Sequence, residues 1–250
     1  MRLLGTAAVI TGAGRGQGAA TAALFAAEGA SVVVGDIDLD AATRTAKTVA
    51  DAGGTAIAVH ADVSTANGAE ALIEAASENF GRLDALVNNA GVALFKQIED
   101  ITEEEWDRVV DIDLKSVFLT CRAAIPLMRA TGGGSVVNVA SAAAMKPIRL
   151  QTAYAAAKAG VVQFTRALSL DVGGYGIRAN CVCPGPIDTE MLHASLSELA
   201  SPYDASRLPL GRIGKPAEVG AVSLFLCSPE ASYMTGAVLT VDGGTSVGTR

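Results

Sequence analysis

Short runs of β-branched and small apolar residues alternate with longer stretches whose alanines and aliphatic residues recur at helical spacing, along the whole chain. Strands are predicted at 6–11, 31–36, 55–60, 85–88, 135–139, 178–182 and 238–241. Helices are predicted between them, at 18–28, 39–52, 66–80, 103–128, 152–172 and 217–226. The strand candidates are continuous apolar runs rather than alternating ones, the pattern of strands covered on both faces. Thr102 and Glu105 have the Thr-x-x-Glu spacing of a capping box, and Gly29 and Gly53 stand where helices should end. Regular alternation of strand and helix implies βαβ units. The fold class is therefore α/β, a doubly wound parallel sheet of seven strands with helices on both faces. No repeat, charge block or low-complexity linker divides the chain, so 1–250 reads as one domain. The one long irregular region starts at Pro184, and its part at about 186–214 is expected to be a substrate-covering lid.

Composition narrows the chemistry. The 250 residues carry 26 acidic and 19 basic side chains, a net charge of −7 that argues against a nucleic-acid partner. Half the residues are apolar, but alanine supplies 47 of them and aromatics make up only 4%, so the core must form by close backbone approach. With His60 and His193 the only histidines, neither a histidine-built metal site nor a Ser-His-Asp hydrolase is expected, and no Gly-x-Ser-x-Gly occurs. Cys121, Cys181, Cys183 and Cys227 form no Cys-x-x-Cys and read as buried thiols in a reducing compartment. No run approaches the ~18 apolar residues of a membrane span. Gly5 and Thr6 interrupt the faint signal-like start, so no membrane association and a cytoplasmic location are expected.

The first strand runs into Thr11-Gly12-Ala13-Gly14-Arg15-Gly16-Gln17-Gly18 and then a helix. Glycines there let the backbone approach a pyrophosphate, whose charge the helix N-terminus favours. The second strand ends at Asp36, 18 residues beyond Gly18 and near the distance expected for a carboxylate on the adenosine ribose hydroxyls. Such a carboxylate repels a 2′-phosphate and favours NAD over NADP, while Arg15 pulls the other way; the acid is given more weight. Asp62 and Val63, after the third strand, are candidates to border the adenine.

Tyr154-Ala-Ala-Ala-Lys158 places a phenol and an ammonium on one helical face. Ser141 lies 13 residues before Tyr154, just past a strand end; Asn88-Asn89-Ala90-Gly91 and Pro184-Gly185 follow two other strands. Together with the glycine loop, and with Val241-Asp242-Gly243-Gly244 near the end, this order resembles the short-chain dehydrogenase/reductase family in its compact form. The resemblance spans nearly the whole chain. It implies a single Rossmann domain and hydride transfer between NAD(H) and the carbinol or carbonyl carbon of a small-molecule secondary alcohol or ketone. It further implies Tyr154 as acid/base, Ser141 as donor to the substrate oxygen, and Lys158 as the charge that stabilises the phenolate and holds the nicotinamide ribose. Asn89, Ala90, Gly91, Pro184, Gly185, Ile187 and Thr189 would border the cofactor, and a homotetramer would use 217–226 and the C-terminal strand.

Two positions depart from the family pattern. Where an Asn is usual on the long helix, Asp111-Ile112-Asp113-Leu114-Lys115 places Asp113, which keeps an acceptor but brings a charge towards Lys158. A retained activity with a shifted pH optimum is the expectation. Gln17 occupies a loop position that is more often aliphatic. The alternatives weighed are a catalytically impaired NAD-binding regulator, a 3-oxoacyl-type reductase using NADPH, and a dehydratase or epimerase, which the short chain disfavours. Substrate specificity should lie in 142–150, notably Met145, Lys146 and Ile148, and in 190–210, where Met191, Leu192, Leu196 and Leu199 are spaced like an apolar helical face.

Overall fold

In a computed structural model, described for residues 1–197 and 204–248, a strand that begins six residues from the N-terminus becomes the centre of the sheet. The seven strands are β1 (Ala7–Thr11), β2 (Ser31–Asp36), β3 (Thr55–His60), β4 (Ala85–Asn88), β5 (Gly134–Val139), β6 (Ile177–Pro184) and β7 (Val238–Val241). All neighbours pair in parallel, in the order β3-β2-β1-β4-β5-β6-β7. The chain lays down one half of the sheet outward from β1, then crosses back past it to build the other. Between β1 and β4 the winding reverses, and the crevice outside the carboxyl ends of strands at such a point is where ligands bind in open α/β sheets.

The eight helices of the described residues are α1 (Gly16–Ala27), α2 (Leu39–Asp51), α3 (Ala66–Phe80), α4 (Glu103–Val110), α5 (Ser116–Ala130), α6 (Thr152–Val172), α7 (Glu190–Ser197) and α8 (Pro216–Cys227). Successive strand residues point to opposite faces, and both faces are buried. Ala8, Ile10, Val32 and Val34 join the core beneath α1, α2 and α8. Val9, Val33, Leu86 and Val136 join the core beneath α3, α5 and α6. Continuous apolar strands are the direct result.

Helix starts follow their caps. Asp38, Thr65 and Thr102 each accept a hydrogen bond from a first-turn N–H of α2, α3 and α4, and Thr102 and Glu105 close the expected capping box. Gly29 and Gly53 adopt φ of +91° and +84° just past α1 and α2. One expectation differs: the helix predicted at 103–128 is interrupted by a π-helical turn, Asp111–Lys115, between α4 and α5. The region expected to be irregular also holds regular structure, in α7 and a 3₁₀ turn at Ala205–Arg207. Of its expected apolar face, Met191 and Leu192 line a cavity; the Leu196 side chain and Leu199 lie outside the described residues. Among the described residues no helix is long and apolar enough to cross a membrane.

Candidate active site

The carboxyl ends of β4, β5 and β6 and the face of α6 open onto one cavity of ≈ 280 Å³. Ser141, Tyr154, Lys158 and Asp113 all line it. Ser141 follows β5 and starts a short 3₁₀ turn, where its Oγ accepts the Ala143 N–H at 3.1 Å. The hydroxyl is thereby oriented, and its own proton is directed at the Tyr154 oxygen. Tyr154 and Lys158 stand one turn apart on α6, with the Lys158 Nζ 5.8 Å from the centre of the phenol ring.

Lys158 is 3% exposed, so its charge needs partners. Nζ donates to the Val139 carbonyl at 3.1 Å and pairs with Asp113 Oδ1 at 3.0 Å, which uses two of its three donors. Asp113 sits in the π-helical turn with no exposed surface, and the Val92 N–H approaches its oxygens at 3.3 and 3.4 Å. A side chain at Gly91 would bring its Cβ within 2.5 Å of Asp113 Oδ1, so only glycine lets the loop after β4 pass the pair.

The ionisation of the group follows from burial and these contacts. Burial holds the Tyr154 phenol above its ordinary range; Lys158 and the Ser141 hydroxyl draw it down, and Asp113 pushes it up. Burial works to lower Lys158, but Asp113 and Tyr154 outweigh it and hold the ammonium above its usual value. Burial raises Asp113 against the pull of Lys158. The expected lowering of Tyr154 by Lys158 is therefore present but overcome in this structure. Asp113 is part of the reason.

The other end of the cleft is built for an anion and a sugar. Unlike α2, α3 and α4, helix α1 has no side-chain cap; Arg15, at its N-cap, makes no capping bond. Its first-turn N–H groups are left for an acceptor from outside, which a pyrophosphate supplies. The glycine loop is held from beneath: Asn89 Nδ2 donates to the Thr11 and Gly12 carbonyls at 3.0 and 3.1 Å. The Asn89 and Ala90 N–H groups donate to Thr11 Oγ1, both at 3.0 Å. Asp36, at the end of β2, accepts the Gly14 N–H at 2.8 Å and the Asp38 N–H at 3.0 Å, which aims the carboxylate while leaving lone pairs for hydroxyls. Arg15 pairs with Asp38 at 2.9 Å and with Glu190, at the start of α7, at 3.2 Å. Asp62 turns its carboxylate onto Ser64, at 2.6 Å from Oγ, and Val63 beside it is buried.

Pro184 ends β6 and Gly185 follows it beside the same cavity, where the Gly185 N–H donates to the Val241 carbonyl at 3.0 Å. Ile187 and Thr189 line the cavity, and Thr189 reaches the glycine loop at Gly16. Gln17 also lines it, with Oε1 buried and lacking a hydrogen-bond partner. An uncapped helix start, a braced glycine loop, an aimed carboxylate and an orphaned amide fit a dinucleotide.

Three contributions were not read from the sequence. The Val139 carbonyl and the Val92 N–H help hold Lys158 and Asp113. A buried network joins Thr120 to Asn88 at 2.7 Å, Asn88 to Asn138 at 2.8 Å and Asn138 to Thr165 at 2.9 Å, tying α5 and α6 to the strands under the site. A polar residue inside a doubly buried strand, as in Val136-Val137-Asn138-Val139, was the available signal, since such a group must be paired. Gln151 also lines the cavity. The cysteines are reduced; Cys121, Cys181 and Cys183 are buried, Cys227 is half-buried, and burial pushes Cys121 up to about 12.

Comparison with known proteins agrees with this geometry. A family model described as "Enoyl-(Acyl carrier protein) reductase" matches residues 12–246. A 3-oxoacyl-(acyl-carrier-protein) reductase of Thermotoga maritima is 41% identical over 244 residues, covering 98% of this chain and 99% of the relative. Trans-4-hydroxycyclohexanecarboxylate dehydrogenase of Sinomonas cyclohexanicum is 41% identical over 247 residues, covering 96% and 93%. The crystal structure of levodione reductase superposes with a TM-score of 0.94 at 37% identity, covering 98% of this chain and 99% of that one.

Proposed function

This chain belongs to the short-chain dehydrogenase/reductase family, oxidoreductases of secondary alcohols and ketones, and from that premise we propose how its residues divide the work. Tyr154 is the acid/base, Ser141 and Lys158 serve it, Asp113 positions Lys158, and NAD is the preferred cofactor. The nicotinamide, when bound, gives or takes the hydride at the carbon bearing the substrate oxygen. The observation that carries the assignment is the convergence of Ser141, Tyr154 and the buried Lys158–Asp113 pair on one cavity.

In reduction, Ser141 turns its proton from Tyr154 to the substrate carbonyl oxygen and orients it, and the Tyr154 phenol delivers its proton to that oxygen. In oxidation Tyr154 takes the proton back. Lys158 keeps a positive charge beside the phenol in both directions, and its remaining donor is left for the nicotinamide ribose. General acid–base catalysis supplies typically ~10²–10⁴-fold. Tyr154→Phe should lose turnover by about that factor while retaining cofactor binding, measured by calorimetry; an active variant overturns the assignment.

Two observations support NAD. Asp36 presents a buried carboxylate where a 2′-phosphate would lie, and Arg15, the cation able to offset it, is already held by Asp38 and Glu190. Asp62 and Val63 would border the adenine, and Gln17, Ile187 and Thr189 the nicotinamide end. The 3-oxoacyl reductase relative favours a second reading, reduction of a 3-oxoacyl substrate with NADPH. Initial rates on secondary alcohols, ketones and 3-oxoacyl thioesters with each cofactor separate the two. The stretch at about 186–214 acts as the lid of a single domain, and the sheet edge at β7 beside α8 supports the family's common tetramer.

A further inference from the structure

Of the two orphaned amide oxygens that border the cavity, Gln17 belongs to the cofactor loop and Gln151 does not. Gln151 is 7% exposed and stands immediately before α6, three residues ahead of Tyr154. Both side chains line the same cavity. Its neighbour Leu150 is the one non-glycine residue with a positive φ among the described residues, at +69°, and its carbonyl accepts the Lys96 N–H at 2.9 Å. Left-handed backbone at such a residue is unfavourable and persists where its surroundings hold it. A buried amide without a partner is a second cost at the same point. Neither helps the fold, since Gln151 does not cap α6 through its side chain.

We propose that Gln151 is a substrate subsite, recognising a second, neutral hydroxyl on the carbon beside the reacting one or one carbon further. The proposal rests on Tyr154 as the group that meets the reacting oxygen. A hydroxyl both donates and accepts, so it satisfies the amide whichever end is turned to it. Because Gln151 and Tyr154 line one small cavity, the two substrate oxygens they meet are close together. The surrounding wall, with Phe95, Ala143, Ile148 and Met191, suits a hydrocarbon remainder. Lys146, the exposed cation on that wall, gives one of its three donors to the Thr245 carbonyl at 3.2 Å, so an anionic substrate is the competing occupant that the test must separate from a neutral diol.

The test compares wild type with Gln151→Met on matched pairs: cyclohexanol with 1,2-cyclohexanediol, and 2-butanol with 2,3-butanediol. Where one member is not oxidised, its Ki against the best alcohol substrate replaces its KM. Wild type should favour the diol by about tenfold or more in kcat/KM. Gln151→Met should erase the preference by slowing the diol while leaving the plain alcohol unchanged and Tm equal to or above the wild-type value. Absence of a diol preference in wild type, or its survival in the variant, overturns the subsite. So does a preference for 4-hydroxycyclohexanecarboxylate over the diols that Lys146→Ala abolishes. Failure of the underlying assignment looks different: Tyr154→Phe would then turn over both members of each pair at the wild-type rate.

Discussion

A neutral amide at position 113 would accept a hydrogen bond from Lys158 and add no charge; Asp113 accepts the bond and adds one. The groups facing Tyr154 are Lys158 from the same helix, Asp113 from the π-helical turn, Ser141 after β5 and Cys183 on β6. Asp113 is among those that raise the phenol, and it is the one that also pairs with Lys158. Oxidation needs the phenolate, so its rate climbs as pH rises through the phenol's pKa; reduction needs the phenol and declines over the same interval. Asp113→Asn removes the negative charge and should move both limbs of the kcat–pH profiles to lower pH. Unmoved limbs would show that the carboxylate does not act on Tyr154, and a move to higher pH would mean that Lys158 has lost its proton. Asp113→Leu instead strands Lys158 in the interior, and chemical denaturation should register a loss of about 3–5 kcal/mol.

Close approach between elements explains which parts of the molecule could be read from its sequence. The strands β2 and β4 coincide with the predicted runs because a strand buried on both faces admits little but small and β-branched apolar residues, and the half-buried edge strands β3 and β7 coincide because they keep the same β-branched composition. The break between α4 and α5 was hidden because one extra residue in a helix shifts the apolar face without erasing its periodicity. Asp113 lies within the π-helical turn, so its approach to Lys158 was read from motif register and not from helical pattern. Gln151 was invisible for a related reason: a polar residue ahead of a helix reads as an ordinary helix start until its side chain is seen buried and unpaired. Gly18 is the opposite case, legible as a loop glycine and explained by packing. A Cβ there would run into the Gly12 carbonyl oxygen, which is backbone and cannot swing aside, and would lie 2.7 Å from Asn89 Nδ2. Gly18→Ala should therefore displace the loop, weaken cofactor binding at least about tenfold by calorimetry and lower stability by about 1–3 kcal/mol; wild-type binding would show that the loop yields more easily than its contacts imply.

On the scale of the whole molecule, the residues proposed for hydride transfer are all delivered to one edge of one sheet. β1 brings the glycine loop, β2 the Asp36 carboxylate, β4 the glycine that admits the buried ion pair, β5 the serine, and β6 the segment leading into α7. The amino-terminal edge and both helical layers remain to carry stability. Binding across that edge should then stabilise the fold as a unit, because a ligand held only by the native state adds RT ln(1 + [L]/Kd), about 2.7 kcal/mol at a hundredfold excess over Kd. For a chain of this size each kcal/mol raises Tm by about 2–4 °C, so saturating NAD should raise it by roughly 5–10 °C. NADP at the same concentration should give a clearly smaller rise, since its 2′-phosphate meets Asp36 while Arg15 is engaged by Asp38 and Glu190. Asp36→Ser removes the repelling carboxylate and should bring the two shifts together. An equal or larger shift with NADP in the wild-type protein would mean that Arg15 leaves its carboxylates for the phosphate, and the cofactor preference would then belong to the arginine rather than to the acid.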